Sequence, residues 1–477
     1  MRGPIALCTT GSFTRIRARS RALIDVILPE KSDFGDLPMA RTTHPSQTHL
    51  EASRRDFLKA GTAAGLTGSL LATFAANPGA YAAGDEVIRV GLIGCGGRGT
   101  GAANQALHAD PKTRLVAMGD AFAEQIESSL KSLKAQKDIA DHVMVDDDHK
   151  FSGLEAYRHV IDASDVVLLA SPPGFRPEHL AYAVEKGKHI FTEKPMATDG
   201  PGIRSVIESV KRAKEKNLAV VAGFCWRYDL PRRALFERVL GGEIGDVLCT
   251  YATYLTGVVK PMPPESARPA GMTDLEWMVR NWYNFAWLSG DGLVEQAVHA
   301  VDWIGWSRKD LPPVSCTAVG GRQIPSPGGN IFDHIEVNYL WENGTRGFIA
   351  QRQINGCDSD NSCFLLGTQG QGEISRRGVR TSGKEEWKYR GPSPNMYQVE
   401  HDELFKSIRE GKPINDGDRM VNTTLMAIMG RMAAYTGKEV TWDMALNSKE
   451  VLVPETPNWD TKVNVPPLAL PGTTKFE

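Results

Sequence analysis

The run VGLIGCGGRG at residues 90–99 constrains the fold more than any other part of the sequence. An apolar strand pattern ends in the glycines Gly94, Gly96 and Gly99, and the small and apolar residues that follow are typical of a helix packed on a sheet. A second strand pattern ends in Asp120, about 20 residues beyond the last glycine, as a dinucleotide-binding fold requires. The glycine spacing alone is weak evidence, but strand, turn, helix and acid together predict a Rossmann domain.

The glycines of this loop have separate structural roles in such a fold. Gly94 permits the tight turn, Gly96 lets the backbone approach a pyrophosphate, and Gly99 allows close packing of helix on strand. The helix N-terminus offers amide hydrogens to the phosphates. Gly97 belongs to the same loop, and Arg98 either contacts phosphate or caps the helix.

The acid at the end of the second strand indicates which dinucleotide is bound. Asp120 would accept hydrogen bonds from the adenosine ribose and repel a 2′-phosphate, which favours NAD over NADP. The competing interpretation is a turn-forming aspartate after a strand. The predicted cofactor is therefore NAD, with NADP disfavoured.

Strand and helix patterns continue to alternate after Asp120, which predicts a doubly wound parallel sheet. Ligands of such sheets lie beyond the carboxyl ends of the strands, where the sequence has ASPP, TEKP and CWRY. Ser171 and Pro172 are predicted to contact the cofactor on this basis. From about Asp246 the pattern becomes strand-rich, which predicts a second α+β domain with a large, mostly antiparallel open sheet. We assign residues 84–228 to the NAD-binding Rossmann domain and 229–477 to a substrate-binding and oligomerisation domain.

Three motifs together resemble those of one family. The glycine fingerprint, GKHIFTEKP at residues 187–195 and GLVEQAVHAVDW at residues 292–303 are similar to the glucose-fructose oxidoreductase, inositol dehydrogenase and rhizopine-catabolism family of oxidoreductases. The resemblance runs from about residue 87 to the GRMAAYTGKEVTWD stretch. It implies hydride transfer between a nicotinamide and the carbinol carbon of a sugar, cyclitol or related polyol.

The resemblance also implies which side chains act. Moving a hydride to or from a carbinol carbon requires a titratable group beside its oxygen, and the family places the lysine of E-K-P and a downstream histidine there, here Lys194 and His299. His299 is the natural proton carrier, and Lys194 would polarise or hydrogen-bond the oxygen. Glu193 is expected to orient Lys194 or the ribose. The alternatives are a solvated strand-end lysine and a core histidine.

The sequence departs from the family pattern at one point. The family usually has an aspartate four residues before the histidine, whereas this chain has Glu295, one methylene longer. Helical spacing would put Glu295 and His299 on one face, so a catalytic or orienting role is retained. Gln296 beside it could read another substrate hydroxyl.

Each of the remaining candidates for substrate binding has both a functional and a structural interpretation. Arg227 either binds substrate or cofactor or forms a structural ion pair. His334, which follows Asp333, either contacts a sugar or lies in a solvated loop. The aromatic stretch at residues 277–291 could stack on sugar faces, although core or subunit packing is its usual use.

Composition excludes several classes of protein. The 55 Lys and Arg residues nearly balance 57 Asp and Glu residues, so nothing indicates nucleic acid as a partner. The seven cysteines include no C-x-x-C pair, which argues against a metal finger, and no metal site is predicted. Cys357 and Cys363 could form a disulfide in an oxidising compartment, but buried free thiols are expected.

The first 83 residues do not have the pattern of a fold. SRRDFLK at residues 53–59 matches the twin-arginine signature, and a weakly apolar stretch and a small-residue site at 80–82 follow. The alternative is a chance Arg-Arg before an amphipathic helix. Met39 is a better start for a signal, which leaves open whether residues 1–38 are translated. The signal predicts a protein that is periplasmic or otherwise exported, without stable membrane insertion after processing.

Three functions are compatible with these patterns. The first is the exported oxidoreductase, with NAD bound so tightly that it does not dissociate, because no soluble pool would replace it outside the cytoplasm. The second is a redox-neutral, NAD-dependent glycoside hydrolase that oxidises, eliminates and returns the hydride. The third is a non-catalytic nucleotide-binding protein. The open sheet face of the resembling family predicts a homodimer or homotetramer.

Overall fold

The computed structural model describes residues 86–476. The predicted twin-arginine segment and the rest of the N-terminal extension lie outside the described residues. Within 86–476, no helix is both long enough and apolar enough to span a bilayer.

The first half of the described chain forms a six-stranded, entirely parallel sheet. Its first strand reads IRVGLI and is buried at every position except Arg89, which is typical of a strand covered on both faces. The strand order is β3-β2-β1-β4-β5-β6. The strands are β1 (Ile88–Ile93), β2 (Thr113–Asp120), β3 (Lys150–Ser152), β4 (Val166–Leu169), β5 (His189–Thr192) and β6 (Val220–Ala222).

Helices cover both faces of this sheet, and two apolar clusters fill the spaces between the layers. The doubly wound Rossmann fold predicted from the alternating patterns is confirmed. The helices of this half are α1 (Gly97–Ala109), α2 (Ala123–Lys134), α3 (Ala156–Ala163), α4 (Arg176–Glu185) and α5 (Gly200–Glu215).

The second sheet has nine strands in the order β14-β13-β12-β11-β7-β10-β9-β8-β15. Every neighbouring pair is antiparallel except β7 with β10, so the predicted, mostly antiparallel sheet is confirmed. The strands are β7 (Val247–Thr256), β8 (Ser315–Gly321), β9 (His334–Leu340), β10 (Arg346–Gln353), β11 (Cys363–Gly367), β12 (Gly370–Ser375), β13 (Gly378–Gly383), β14 (Trp387–Lys388) and β15 (Val440–Thr441).

One face of this sheet is covered by helices that separate it from the first half. The longest helix reads GDRMVNTTLMAIMGRMAAYT and is buried along most of its length, because it packs on both β8 and α5. The helices are α6 (Leu230–Leu240), α7 (Asp274–Arg280), α8 (Ala286–Ser289), α9 (Gly292–Glu295), α10 (Val298–Ser307), α11 (Met396–Arg409), α12 (Gly417–Thr436) and α13 (Trp442–Leu446).

The chain returns to the first sheet near its C-terminal end. Helix α11 packs against α1, and Leu404, Phe405 and Ile408 join the apolar cluster under β1. The following segment then extends the sheet at its edge: Val220 donates to the carbonyl of Ile414 at 2.9 Å, and Asp416 donates to the carbonyl of Val220 at 2.8 Å. Residues 229–477, assigned above to the second domain, therefore also supply part of the first layer.

Candidate active site

The glycine loop between β1 and α1 has the geometry that its sequence requires. Gly94 has φ +90°, a left-handed conformation that favours glycine. A Cβ at Gly99 would lie 1.8 Å from the carbonyl oxygen of Gly94, so only glycine lets the helix approach the turn this closely. A Cβ at Gly96 or Gly97 would meet no atom within 4 Å. The loop is thus tightly packed on the protein side and open on the cleft side.

The open side of the loop fits a dinucleotide. Gly94, Gly96 and Asp120 line a cavity of about 270 Å³, which continues into a cleft of about 560 Å³ lined by Gly96, Gly97 and Arg98. The backbone can approach a pyrophosphate at the glycines, and the N-terminus of α1 supplies amide donors there. The smaller cavity would hold the adenosine and the larger cleft the nicotinamide.

Asp120 lies at the end of β2 and lines the adenosine cavity, as the sequence predicts. Its Oδ2 accepts the N–H of Cys95 at 2.7 Å and its Oδ1 accepts the N–H of Phe122 at 3.0 Å. Burial raises the pKa of this carboxyl above its ordinary value. Each oxygen keeps a second acceptor site for a ribose hydroxyl, and the carboxylate also anchors the glycine loop.

The residues after β4 form the wall between the two cavities. Ser171 and Pro172 line both of them, which is the position predicted for cofactor contacts. The Ser171 hydroxyl lies 3.0 Å from Nδ1 of His179, and burial lowers the pKa of His179 to about 3. The guanidinium of Arg176 donates to the carbonyls of Ser171 and Pro195. This hydrogen bonding fixes the wall in place.

Lys194 and Glu295 form a buried ion pair in the larger cleft. The two side chains come from strand end β5 and helix α9, 101 residues apart, and the residues are only 9% and 7% exposed. Nζ of Lys194 lies 3.0 Å from Oε1 of Glu295 and also donates to the Glu295 carbonyl oxygen. These bonds use two of the three ammonium donors and leave one for an oxygen in the cleft.

His299 lines the same cleft from helix α10. Its ring lies 5.0 Å from the ring of Trp226, between centroids, and burial together with the charge of Lys194 lowers its pKa well below the ordinary value. Among the described residues, neither Nδ1 of His299 nor Oε2 of Glu295 has a hydrogen-bond partner. The imidazole is therefore neutral at physiological pH and has capacity to accept a proton.

The prediction that Glu295 and His299 share one helix face is wrong in detail. Helix α9 ends at Glu295 and α10 begins at Val298, so the helix is interrupted between Glu295 and His299. Both side chains still line one cleft, because the break leaves both helices on its wall. The sequence spacing therefore predicted that Glu295 and His299 lie near each other, but on one continuous helix, which the chain does not form.

Arg98 and Glu193 form a network that the sequence did not predict. Nε of Arg98 pairs with Glu193, and its Nη2 lies 3.4 Å from Oε1 of Glu400 on α11. The other Glu193 oxygen accepts the backbone N–H of Lys194 at 3.3 Å. Burial, reinforced by the nearby charge of Glu193, raises the pKa of Glu400 well above its ordinary value. Glu193 thus positions the Lys194 backbone, while Glu295 positions the Lys194 ammonium.

Of the three weaker candidates, one lines the cleft. Gln296 lies in the cleft and accepts the Tyr254 hydroxyl at 2.7 Å. Arg227 is 4% exposed and bonded to Asp302 at 2.7 Å and 2.8 Å as well as to Asp310, which favours its structural interpretation. His334 pairs with Asp333 at 2.7 Å and is not among the residues that line the cleft.

Several further residues line the cleft without being marked by a sequence motif. Tyr254 comes from the middle of the second sheet, and burial raises its pKa to about 12. Lys260 follows that strand on a loop, Trp282 lies in the aromatic stretch, and Tyr397 is on α11. None of them belongs to a motif, and only the aromatic stretch gave a signal in the sequence.

Similarity to known proteins agrees with this geometry. A family model described as an oxidoreductase family with an NAD-binding Rossmann fold matches residues 88–224. Inositol 2-dehydrogenase of Rubrobacter xylanophilus is 24% identical over 309 residues, covering 63% of this chain and 77% of that protein. Glycosyl hydrolase family 109 protein 1 of Bacteroides fragilis is 27% identical over 173 residues, covering 36% of this chain and 35% of that protein.

A solved structure shows the same fold. Levoglucosan dehydrogenase in complex with NADH and levoglucosan superimposes with a TM-score of 0.59 and 20% identity, covering 75% of this chain and 99% of that chain. Fold, glycine loop and cleft define an NAD(P)-dependent oxidoreductase acting on CH–OH groups, and its cofactor is NAD. The match of residues 88–224 and the similarity to inositol 2-dehydrogenase support the resemblance to the glucose-fructose oxidoreductase, inositol dehydrogenase and rhizopine-catabolism family.

Proposed function

We propose that this protein is an exported enzyme that transfers a hydride to or from a carbinol carbon of a sugar, cyclitol or related polyol, with NAD held tightly throughout. The observation that carries the proposal is the cluster of Lys194, Glu295 and His299 in one cleft, which continues into the cavity beside Asp120. That arrangement sets a proton acceptor and a cation beside the predicted nicotinamide position.

The chemistry divides between the cofactor and these side chains. NAD, when bound, supplies the hydride acceptor. Lys194 donates its remaining N–H to the substrate oxygen and stabilises negative charge there, while Glu295 fixes the ammonium and balances its charge. His299 takes the hydroxyl proton, because burial and the Lys194 charge lower its pKa and so keep the ring unprotonated and able to accept.

The substrate class is supported by the cleft and by relatives. Gln296 and Tyr254 line the cleft and offer hydrogen-bonding groups suited to substrate hydroxyls. Proteins similar to this one are named for inositol and levoglucosan. Purified protein should therefore reduce its NAD when given members of a panel of polyols and anhydrosugars, measured as NADH absorbance. No response to any member would contradict this substrate class.

Export with a retained cofactor is proposed from the N-terminal sequence and the depth of the site. The twin-arginine route carries folded proteins, so the dinucleotide could be loaded before export. We expect the mature protein, purified without added NAD, to release near-stoichiometric nicotinamide on denaturation and to turn over without added NAD. An empty protein that needs millimolar NAD and accumulates free NADH would contradict the retained cofactor.

A redox-neutral glycoside hydrolase is the second candidate, favoured by the similarity to the family 109 hydrolase. The two functions differ in what accumulates. A glycoside panel followed for both released aglycone and NADH separates them, because the hydrolase releases aglycone with no net NADH, whereas the dehydrogenase forms NADH with the glycoside intact.

A homodimer or homotetramer is proposed through the uncovered face of the second sheet. Tyr251, Phe364 and Leu366 are exposed there, and Phe364 lies opposite Tyr251 on the neighbouring strand. Exposed apolar groups of this size at one face are typical of subunit contacts. The mass in solution at micromolar concentration tests this, and a monomer would contradict it.

A further inference from the structure

The adenosine cavity and the catalytic cleft meet at a short shared wall. A pyrophosphate joins the two nucleosides of NAD, so it must cross this wall when each nucleoside occupies its own cavity. One side of the wall comes from the first half of the chain, and the other side comes from the second half. The shared lining residues are Gly96, Ala170, Ser171 and Pro172 on the first side, and Lys260 and Trp282 on the second.

Lys260 is the one charged side chain in this shared set. The glycine loop opposite offers backbone amides and the N-terminus of α1, which carry partial charge only. Arg98 is the nearby cation of the loop, but its guanidinium is paired with Glu193 and Glu400. A bound pyrophosphate therefore has Lys260 as the available full positive charge.

The position of Lys260 is fixed although its ammonium is not paired. Its backbone carbonyl accepts the Nδ2 hydrogen of Asn284 at 3.3 Å, and its Nζ lies 4.9 Å from the centroid of the Trp282 ring. In the described part of the chain, no carboxylate forms an ion pair with it. Burial lowers the pKa of Lys260 below the ordinary lysine value, although the Glu295 charge opposes this shift.

We propose that Lys260 is a cofactor-binding residue that closes over the NAD pyrophosphate from the side opposite the glycine loop. The inference rests on NAD as the cofactor and deepens the proposed function, because such a contact slows the release of the dinucleotide. The anion lies between backbone amides of one half of the chain and an ammonium of the other. Release then requires the loss of a charge-assisted contact.

The test compares Lys260→Ala and Lys260→Arg in the full-length protein without sugar present. The dissociation rate of NADH is measured by its fluorescence after mixing with excess NAD, and ADP-ribose and adenosine are used as competitors. Lys260→Ala is expected to release NADH at least tenfold faster and to bind ADP-ribose at least tenfold more weakly, with adenosine unchanged. Lys260→Arg is expected to stay near the parent protein.

A matched control is Lys384→Ala, an exposed lysine outside both cavities, which should change none of these values. Unchanged NADH release in Lys260→Ala would overturn the inference, and so would an equal loss of adenosine affinity, because that would mean a damaged fold. A raised KM for polyol with normal NADH release would assign Lys260 to the substrate instead. A protein that binds NADH as expected but oxidises no polyol would contradict the proposed function alone.

Discussion

The glycine loop and the proposed catalytic cluster of Lys194, Glu295 and His299 are built in opposite ways. The loop is local: Gly94, Gly96 and Gly99 lie within six residues, and their roles follow from backbone space alone. The cluster is assembled over distance, because Lys194 meets a carboxylate 101 residues further along the chain. A local feature can be recognised from spacing, whereas a long-range one depends on how two separate sheets are packed.

The two regions should therefore respond differently to substitution. In the loop, a wrong side chain collides with backbone or with the cofactor, so stability and binding suffer. In the cluster, the substituted side chains line the cleft without filling the glycine turn, so we expect the chemistry to fail while the dinucleotide stays bound. Substitutions in each region test whether this separation holds.

The largest effect is expected in the catalytic cluster. Lys194→Ala and His299→Ala should each lower kcat by ~100-fold or more, the range associated with a lost general acid or base. Bound NAD, measured after denaturation, should stay near the parent value. A variant with near-normal turnover would remove that residue from the mechanism.

The control for His299 is His334→Ala. His334 is paired with Asp333 outside the cleft lining, so its loss should leave kcat within about twofold of the parent protein. Equal loss of activity in both histidine variants would contradict the distinction between His299, which lines the cleft, and His334, which does not.

The next effect is expected in the loop, where Gly99→Ala and Gly96→Ala should separate stability from binding. At Gly99 the added methyl meets the Gly94 carbonyl at 1.8 Å, so overpacking should lower the free energy of unfolding by about 3 kcal/mol. At Gly96 the methyl meets no protein atom, so thermal unfolding should be unchanged while NAD binds at least tenfold more weakly. Equal losses of stability in both variants would contradict a packing role for Gly99 and a cofactor-binding role for Gly96.

The smallest effect is expected at Asp120, measured as the ratio of NAD to NADP affinity. Asp120→Ala should weaken NAD binding and narrow that ratio by about tenfold, because repulsion of the 2′-phosphate and the ribose contact are lost together. Asp120→Asn removes the charge but keeps one oxygen, which can accept the N–H of either Cys95 or Phe122, so it shows how much of the effect comes from charge and how much from anchoring. Equal affinity for NAD and NADP in the parent protein would overturn the assignment.

Much of the fold could be predicted because its signals are local. Most strands of the first half follow continuous apolar runs and glycine turns. The short strand β3 and the helices α2 and α3 were not recognised in the sequence. The second sheet was expected from three strand-rich stretches. Four members of that sheet were not recognised: β8, β13, β14 and β15. The residues of β13 and β14 are mostly polar and partly exposed.

The site could be predicted only where a motif marks it. Lys194 and His299 were predicted through the family resemblance, but the contacts that fix their positions and influence their charge were not. Glu295 was expected to act from the same helix as His299, and Arg98 to contact phosphate or cap a helix. Both expectations failed to anticipate a contact between distant segments, namely Glu295 with Lys194 and Arg98 with Glu400. A single sequence contains no local record of such contacts.

The return of α11 to the first sheet affects how the protein could be recombined with relatives. A chimera that exchanged only residues 88–224 would separate β6 from the segment at 414–416 and remove the surface on which Leu404 and Phe405 pack. The interchangeable module is discontinuous in sequence, consisting of the first half together with residues 396–416. Transplants that carry both pieces are expected to remain soluble, and those that carry the first piece alone to aggregate.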